Sequence, residues 1–217
     1  MLIDCKVFSV EKMTNIAQKY SKVFILLILF VVSACSDARL KPLGYGATIL
    51  AFGDSLTSGV GVKTQYSYPS VLSELTGRDV INAGVSGELT EQGVARLPSL
   101  LQSHAVDVLV LIEGGNDILR NKNLKQTKQN LAAMIEMAQA KNIDVILVGV
   151  PLKKLFSKSA PLYGELAEQY QLTYDGEIIR DLMTDTDMKS DSVHFNKQGY
   201  QALANAIYQL MQDNGAL

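Results

Sequence analysis

Apolar runs that alternate with amphipathic segments are the feature that most constrains how this chain can fold. Runs of strand character occupy residues 48–52, 79–82, 106–112 and 143–150, with a weaker one near 172–174. The third and fourth are near-continuous Val, Leu and Ile, the pattern of parallel strands covered on both faces. Between and after them, residues 68–75, 90–102, 124–141, 161–170 and 197–212 read as helices. In the last, Tyr200, Leu203, Ala206, Ile207 and Leu210 fall on one face at helical spacing. Such alternation with right-handed crossovers predicts an α/β fold, a three-layer α/β/α arrangement around a mostly parallel five-stranded sheet of flavodoxin-like type. With 217 residues, 47% of them hydrophobic, one domain can bury such a core without disulfide staples.

Open sheets of this kind gather their reactive groups beyond the carboxyl ends of the strands. The first strand runs into Gly53-Asp54-Ser55-Leu56-Thr57-Ser58-Gly59, where a serine on a tight turn exposes its hydroxyl. Thr57 stands where a G-x-S-x-G elbow has its second glycine, so Ser55 alone reads first as part of a Ser/Gly turn. The second strand runs into Asn82-Ala83-Gly84-Val85-Ser86-Gly87-Glu88. Gly84 and Gly87 allow conformations that turn a backbone N–H toward a ligand, or simply make a βα loop. The third ends in Glu113-Gly114-Gly115-Asn116-Asp117. The Asn116 amide there suits an oxyanion donor or a turn cap.

Just before the last helix comes Asp191-Ser192-Val193-His194-Phe195-Asn196. A carboxylate three residues ahead of a histidine can bend back to its Nδ1–H, which fixes the tautomer and leaves Nε2 as a base. The other histidine, His104, precedes the third strand at its amino end and reads as structural or solvent-facing. One usable histidine and no usable cysteine make a His-based metal centre unexpected. Taken in order, the four segments supply a nucleophile, two kinds of oxyanion donor and an Asp–His pair.

On these residues the chain resembles the SGNH, or GDSL, hydrolases. Gly53-Asp54-Ser55-Leu56 is similar to their first block, Gly87 to the second, Gly114-Gly115-Asn116-Asp117 to the third and Asp191-x-x-His194 to the last. The stretch from Glu91 to Pro98 is similar to the bacterial periplasmic thioesterase/arylesterase/lysophospholipase subgroup. The resemblance implies a triad of Ser55, His194 and Asp191. It also implies an oxyanion hole from the Ser55 and Gly87 backbone N–H groups and the Asn116 amide, with no cofactor. Asp54 is expected to hold neighbouring loops, its side chain directed away from that of Ser55. The last block departs from Asp-Gly-x-His-Pro in having Ser192 and Phe195, which leaves the shape of that loop open. A loop at 151–158 borders the acyl site in related enzymes. Leu152, Leu155 and Phe156 would then meet an acyl chain and its lysines a phosphate, unless the loop is merely solvated.

The first 34 residues read as an export signal of lipoprotein type. Lys12, Lys19 and Lys22 precede an apolar run at 23–32 that is too short for a comfortable membrane span. The run ends in Val32-Ser33-Ala34-Cys35-Ser36, which resembles a lipobox and implies cleavage before Cys35 and lipid on its sulfur; a plain secretory signal or a retained anchor are the alternatives. Initiation at Met13 would give a signal of more ordinary length. Residues 35–46 read as a tether and 47–217 as the hydrolase domain. Cys5 and Cys35 are the only cysteines, so no disulfide is expected in the mature chain. A net charge of −2 argues against nucleic acid as a partner. The expectation is a lipid-anchored periplasmic serine esterase acting on a small acyl ester, thioester or lysophospholipid. A carbohydrate O-deacetylase on the same fold and a non-catalytic binding lipoprotein are the rival readings.

Overall fold

The computed structural model describes residues 39–153 and 158–217. The export signal, Cys35, Leu155 and Phe156 lie outside the described residues. Residues 38–217 form one compact unit.

Five strands build the sheet: β1 (Thr48–Gly53), β2 (Asp79–Gly84), β3 (Val108–Ile112), β4 (Asp144–Val148) and β5 (Thr173–Asp175). They lie in the order β2-β1-β3-β4-β5, and every pairing is parallel. The expected sheet is thus fully rather than mostly parallel. β3 is buried along its whole length, as its unbroken Val-Leu-Val-Leu-Ile requires. β2, at the edge, is half-exposed and reads as a mixed sequence. Eight α-helices surround the sheet among the described residues: α1 (Ser55–Ser58), α2 (Tyr68–Thr76), α3 (Thr90–Ser103), α4 (Gly115–Leu119), α5 (Leu124–Gln139), α6 (Pro161–Gln169), α7 (Ile178–Thr184) and α8 (Lys197–Asp213). α2 packs on α8, and α3 on α5. The largest core side chains are Tyr68, Tyr163, Tyr200, Phe52 and Phe195.

The chain moves from β1 to β2 on one side and then places β3 on the other side of β1. This reversal of strand order opens a crevice at the carboxyl ends of β1 and β3. Ser55 follows the first of these strands and Asn116 the second.

Two expectations change. α1, α4 and α7 were not predicted, because four to seven residues carry too little periodicity to separate a helix from a turn. The expected tether is also largely part of the domain. Leu40 is buried in the core, its N–H donates to Asn214 O at 3.1 Å, and the Leu43 N–H donates to Ala216 O at 2.8 Å. Lys41 reaches Asp144 through both its backbone N–H and its Nζ. Residues 40–46 therefore cross the amino ends of the strands as docked chain. A composition of breakers and cations hid the apolar anchors, Leu40 buried in the core and Leu43 packed against it.

Candidate active site

α1 starts where β1 stops. Asp54 caps it, its Oδ1 accepting the Leu56 N–H at 3.1 Å, and Ser55 takes the first helical position. α1 sits tightly against the end of β2. A Cβ at Gly84 would lie 2.0 Å from the Ser58 nitrogen, so Gly84 serves close approach and does not adopt the turned conformation expected for it. Gly87 does adopt it, with φ of +80°.

The last block arrives from the other end of the chain. His194 Nε2 lies 3.0 Å from Ser55 Oγ, and its Nδ1 lies 2.7 Å from Asp191 Oδ2. Asp191 Oδ1 accepts the backbone N–H groups of Val193 and His194 at 2.8 and 2.9 Å. These bonds and the imidazole hold the Asp191 carboxyl down at about 2, so it is ionised and acts only as an acceptor. An acceptor facing Nδ1 puts the proton there. Nε2 is then free to receive the Ser55 hydroxyl hydrogen.

Phe195, which stands in place of the family's proline, builds the loop in its own way. It is fully buried, meets Tyr200 edge-on at 5.6 Å, and pairs with Lys189 in a short antiparallel bridge. The Tyr200 hydroxyl donates to Val60 O at 2.8 Å. The histidine loop is thereby fastened to the segment that follows the nucleophile.

Asn116 opens onto the same crevice from α4. Its Nδ2 donates to Asp54 Oδ2 at 3.1 Å. Asp54 therefore links the nucleophile turn to the Asn116 amide, the loop-holding role expected of it. Burial is the main influence on its carboxyl, raising it to about 6 against the lowering effect of the Leu56 N–H and His194. Asp117 fixes the same loop from behind, accepting from the Thr90 N–H and hydroxyl at 2.9 and 2.7 Å and from the Thr127 hydroxyl at 3.2 Å. On the other flank Arg120 donates to Gly87 O at 3.2 Å. Glu88 beside it is buried and bound in a two-pronged pair by Arg96, whose guanidinium also covers Phe52.

A cavity of about 370 Å³ opens beside Ser55 and Asn116. Leu56, Ile118, Val150, Leu152, Met183 and Val193 give it an apolar wall, and Lys153, Arg180 and Lys189 also line it. Leu152 thus lines the cavity beside Ser55. Ile118 and Met183 were missed, since the short helices α4 and α7 that carry them were not legible. His104 is exposed at the carboxyl end of α3, on the far side of the sheet's strands from the site. Among the described residues no group of three or more His, Cys, Asp or Glu is arranged to hold a metal ion.

Glu113 is the buried group with no expected role. It is fully enclosed at the end of β3, and neither carboxyl oxygen meets a hydrogen-bond partner. Burial, reinforced by Asp54 and Glu88, pushes its carboxyl up to about 10. The folded protein keeps this proton while the unfolded chain releases it near 4.5. The contribution to stability is complete below that pH and declines as pH rises toward 10. Glu113→Gln is therefore expected to gain in Tm relative to wild type between pH 5 and pH 9. Melting curves with equal pH slopes for the two proteins would show that Glu113 is not buried as a neutral acid.

Comparison with known proteins agrees with this geometry. Residues 51–202 match the GDSL-like Lipase/Acylhydrolase family. The chain is 29% identical over 195 residues to an arylesterase of Vibrio mimicus, covering 85% of this chain and 94% of the relative. It is 27% identical over 173 residues to thioesterase 1/protease 1/lysophospholipase L1 of Escherichia coli K12, covering 76% and 83%. The crystal structure of TesA superposes with a TM-score of 0.71 at 26% identity, covering 77% of this chain and 99% of TesA. With Ser55, Asn116 and the Asp191–His194 pair meeting at one crevice and most of the domain matched, the chain belongs to the GDSL-like lipase/acylhydrolase family, the SGNH hydrolases.

Proposed function

We propose that the protein is a serine esterase that hydrolyses acyl esters or thioesters through an acyl-enzyme on Ser55. The observation that carries this reading is the unbroken hydrogen-bond line from Asp191 through His194 to Ser55 at the mouth of an apolar cavity. As Ser55 Oγ attacks the acyl carbonyl, its proton passes to His194 Nε2. Asp191 steadies the resulting imidazolium, and His194 returns the proton to the leaving alcohol or thiol. Water activated by the same nitrogen then releases the acid. The negative charge on the carbonyl oxygen is met by the Ser55 and Gly87 backbone N–H groups and the Asn116 amide.

An acyl chain suits the wall formed by Ile118, Val150 and Met183, and the names of the relatives support ester and thioester substrates, including lysophospholipids. An acetylated sugar gains less from that wall, whose side chains offer its hydroxyls neither donor nor acceptor. Lipid on Cys35 and a periplasmic location complete the reading, supported by the apolar run and the small residues before that cysteine.

Fluorophosphonate labelling followed by peptide mass analysis is expected to place the adduct on Ser55. A panel of p-nitrophenyl esters of rising chain length, run beside acetylated oligosaccharides, is expected to show turnover of the acyl esters. Turnover of the sugars alone would replace this reading with a deacetylase, and absence of any adduct would replace it with a binding protein. Asn116→Ala is expected to cost about 10²–10³ in kcat, as loss of one oxyanion donor does elsewhere. A change confined to KM would make Asn116 a substrate-binding residue instead.

A further inference from the structure

We infer that the end of the domain carrying Tyr45 and Arg78 lies against the membrane, so that Ser55 opens away from the bilayer that holds the protein. This rests on the reading of Cys35 as a lipid attachment point, and it adds an orientation to it.

Where the chain enters the domain decides the geometry. Arg39 donates to Leu172 O just before β5, Leu40 is buried against the carboxyl end of α8, and Lys41 binds Asp144 at the start of β4. All three contacts lie at the amino ends of strands. The candidate active site lies at the carboxyl ends, where Ser55 follows β1 and His194 precedes α8. The seventeen residues of α8 separate the two ends by about 25 Å at 1.5 Å per residue. Between Cys35 and Arg39 there are four residue steps, which reach at most about 14 Å when fully extended. A lipid on Cys35 therefore holds the amino-end face near the bilayer, and a tether of that reach is too short to invert the domain so that the opposite end faces it.

The face itself fits a lipid interface. Tyr45 is 91% exposed, the most exposed large apolar side chain among the described residues. It sits three residues before β1, with the Arg78 guanidinium 4.8 Å from its ring centre. Arg78 immediately precedes β2 and is tied to the docked segment by its bond to Leu43 O. A tyrosine bearing an arginine matches the headgroup region, where amphipathic rings and cations collect. Arg39 extends the cationic character along the same end, while Lys41 is paired with Asp144, and Asp79 and Asp107 temper the charge. The anchor, rather than charge, supplies the attachment. Substrate would then enter from the aqueous side, and not sideways from the leaflet in which the anchor sits.

The chain contains no tryptophan, so one introduced indole reports its own surroundings. Tyr45→Trp places it on the proposed membrane face. Val85→Trp places it at the opposite end, where Val85 is 42% exposed just beyond β2. The full chain, produced in a bacterium that lipidates lipoproteins, is reconstituted in phosphatidylethanolamine/phosphatidylglycerol vesicles with brominated acyl chains. Tyr45→Trp is expected to show quenched, blue-shifted emission, and Val85→Trp emission unchanged from that in buffer. Quenching of Val85→Trp, or equal quenching of both, overturns the orientation while leaving the anchor in place, as the mass of a lipidated Cys35 peptide would confirm. A Cys35 peptide without lipid, together with protein that washes off the vesicles, overturns the anchoring reading and the orientation with it.

Discussion

Replacing Ser55 with alanine is expected to lower kcat for a short p-nitrophenyl ester by about 10⁴–10⁶-fold, the range seen when a serine hydrolase loses its nucleophile. The structure makes this a clean test. Ser55 Oγ has His194 Nε2 as its partner at 3.0 Å, and the serine is only half-buried at the start of α1. Losing one hydroxyl there removes one hydrogen bond, worth about 1 kcal/mol. The cap from Asp54 to the Leu56 N–H, the Tyr200–Val60 tie and the packing of Phe195 all remain. The variant should therefore melt close to wild type while its turnover falls to the level that oxyanion donors and binding alone provide. Near-wild-type turnover by a folded Ser55→Ala protein would remove Ser55 from the chemistry altogether.

The parts of this site differed in how far the sequence disclosed them, and the differences have physical causes. Residues whose role depends on local geometry were legible. Asp191 caps its own loop and reaches His194 three residues on, so the spacing alone carries the contact. The burial of β3 and β4 follows from unbroken runs of branched side chains. The meeting of His194 with Ser55 spans 139 residues. It was legible because parallel strands deliver their carboxyl ends to one place and because the four blocks resemble those of the SGNH hydrolases. Contacts without either aid were not legible. The bond from Asn116 to Asp54 depends on how β1 and β3 lie side by side. The enclosure of Glu113 depends on what closes over the end of β3, and a charged residue beside two glycines reads as loop. The acyl-cavity wall draws on α4 and α7, whose few turns leave no periodic trace. Leu40 shows the same limit: a single apolar residue among polar neighbours gives no pattern, yet it fixes where the chain docks.

Asp191→Asn is expected to cost about 10³–10⁴ in kcat with little change in melting temperature, because the two oxygens of Asp191 do different work. Oδ1 accepts the Val193 and His194 backbone N–H groups and shapes the loop, while Oδ2 faces His194 Nδ1 at 2.7 Å. An asparagine can keep its carbonyl oxygen toward the two backbone donors and so preserve the loop. Its amide nitrogen then occupies the place of Oδ2 and presents a donor to Nδ1. The imidazole answers by carrying its proton on Nε2, where it can no longer take the hydrogen of Ser55. This is the wrong-tautomer defect that costs about 10⁴ in an unrelated serine hydrolase. The half-exposed Asp191 side chain lets water soften the loss. The pH behaviour of the wild type separates the two roles further. With its carboxyl held near 2 rather than 3.8, Asp191 stays ionised throughout the working range. The stability it contributes is present above pH 3.8 and fades only as pH falls toward 2. Protonation of Asp191 therefore cannot limit activity at mildly acid pH. Full turnover by Asp191→Asn would show that His194 finds its tautomer without Asp191. A large fall in melting temperature would show that the asparagine does not keep the loop bonds made by Oδ1.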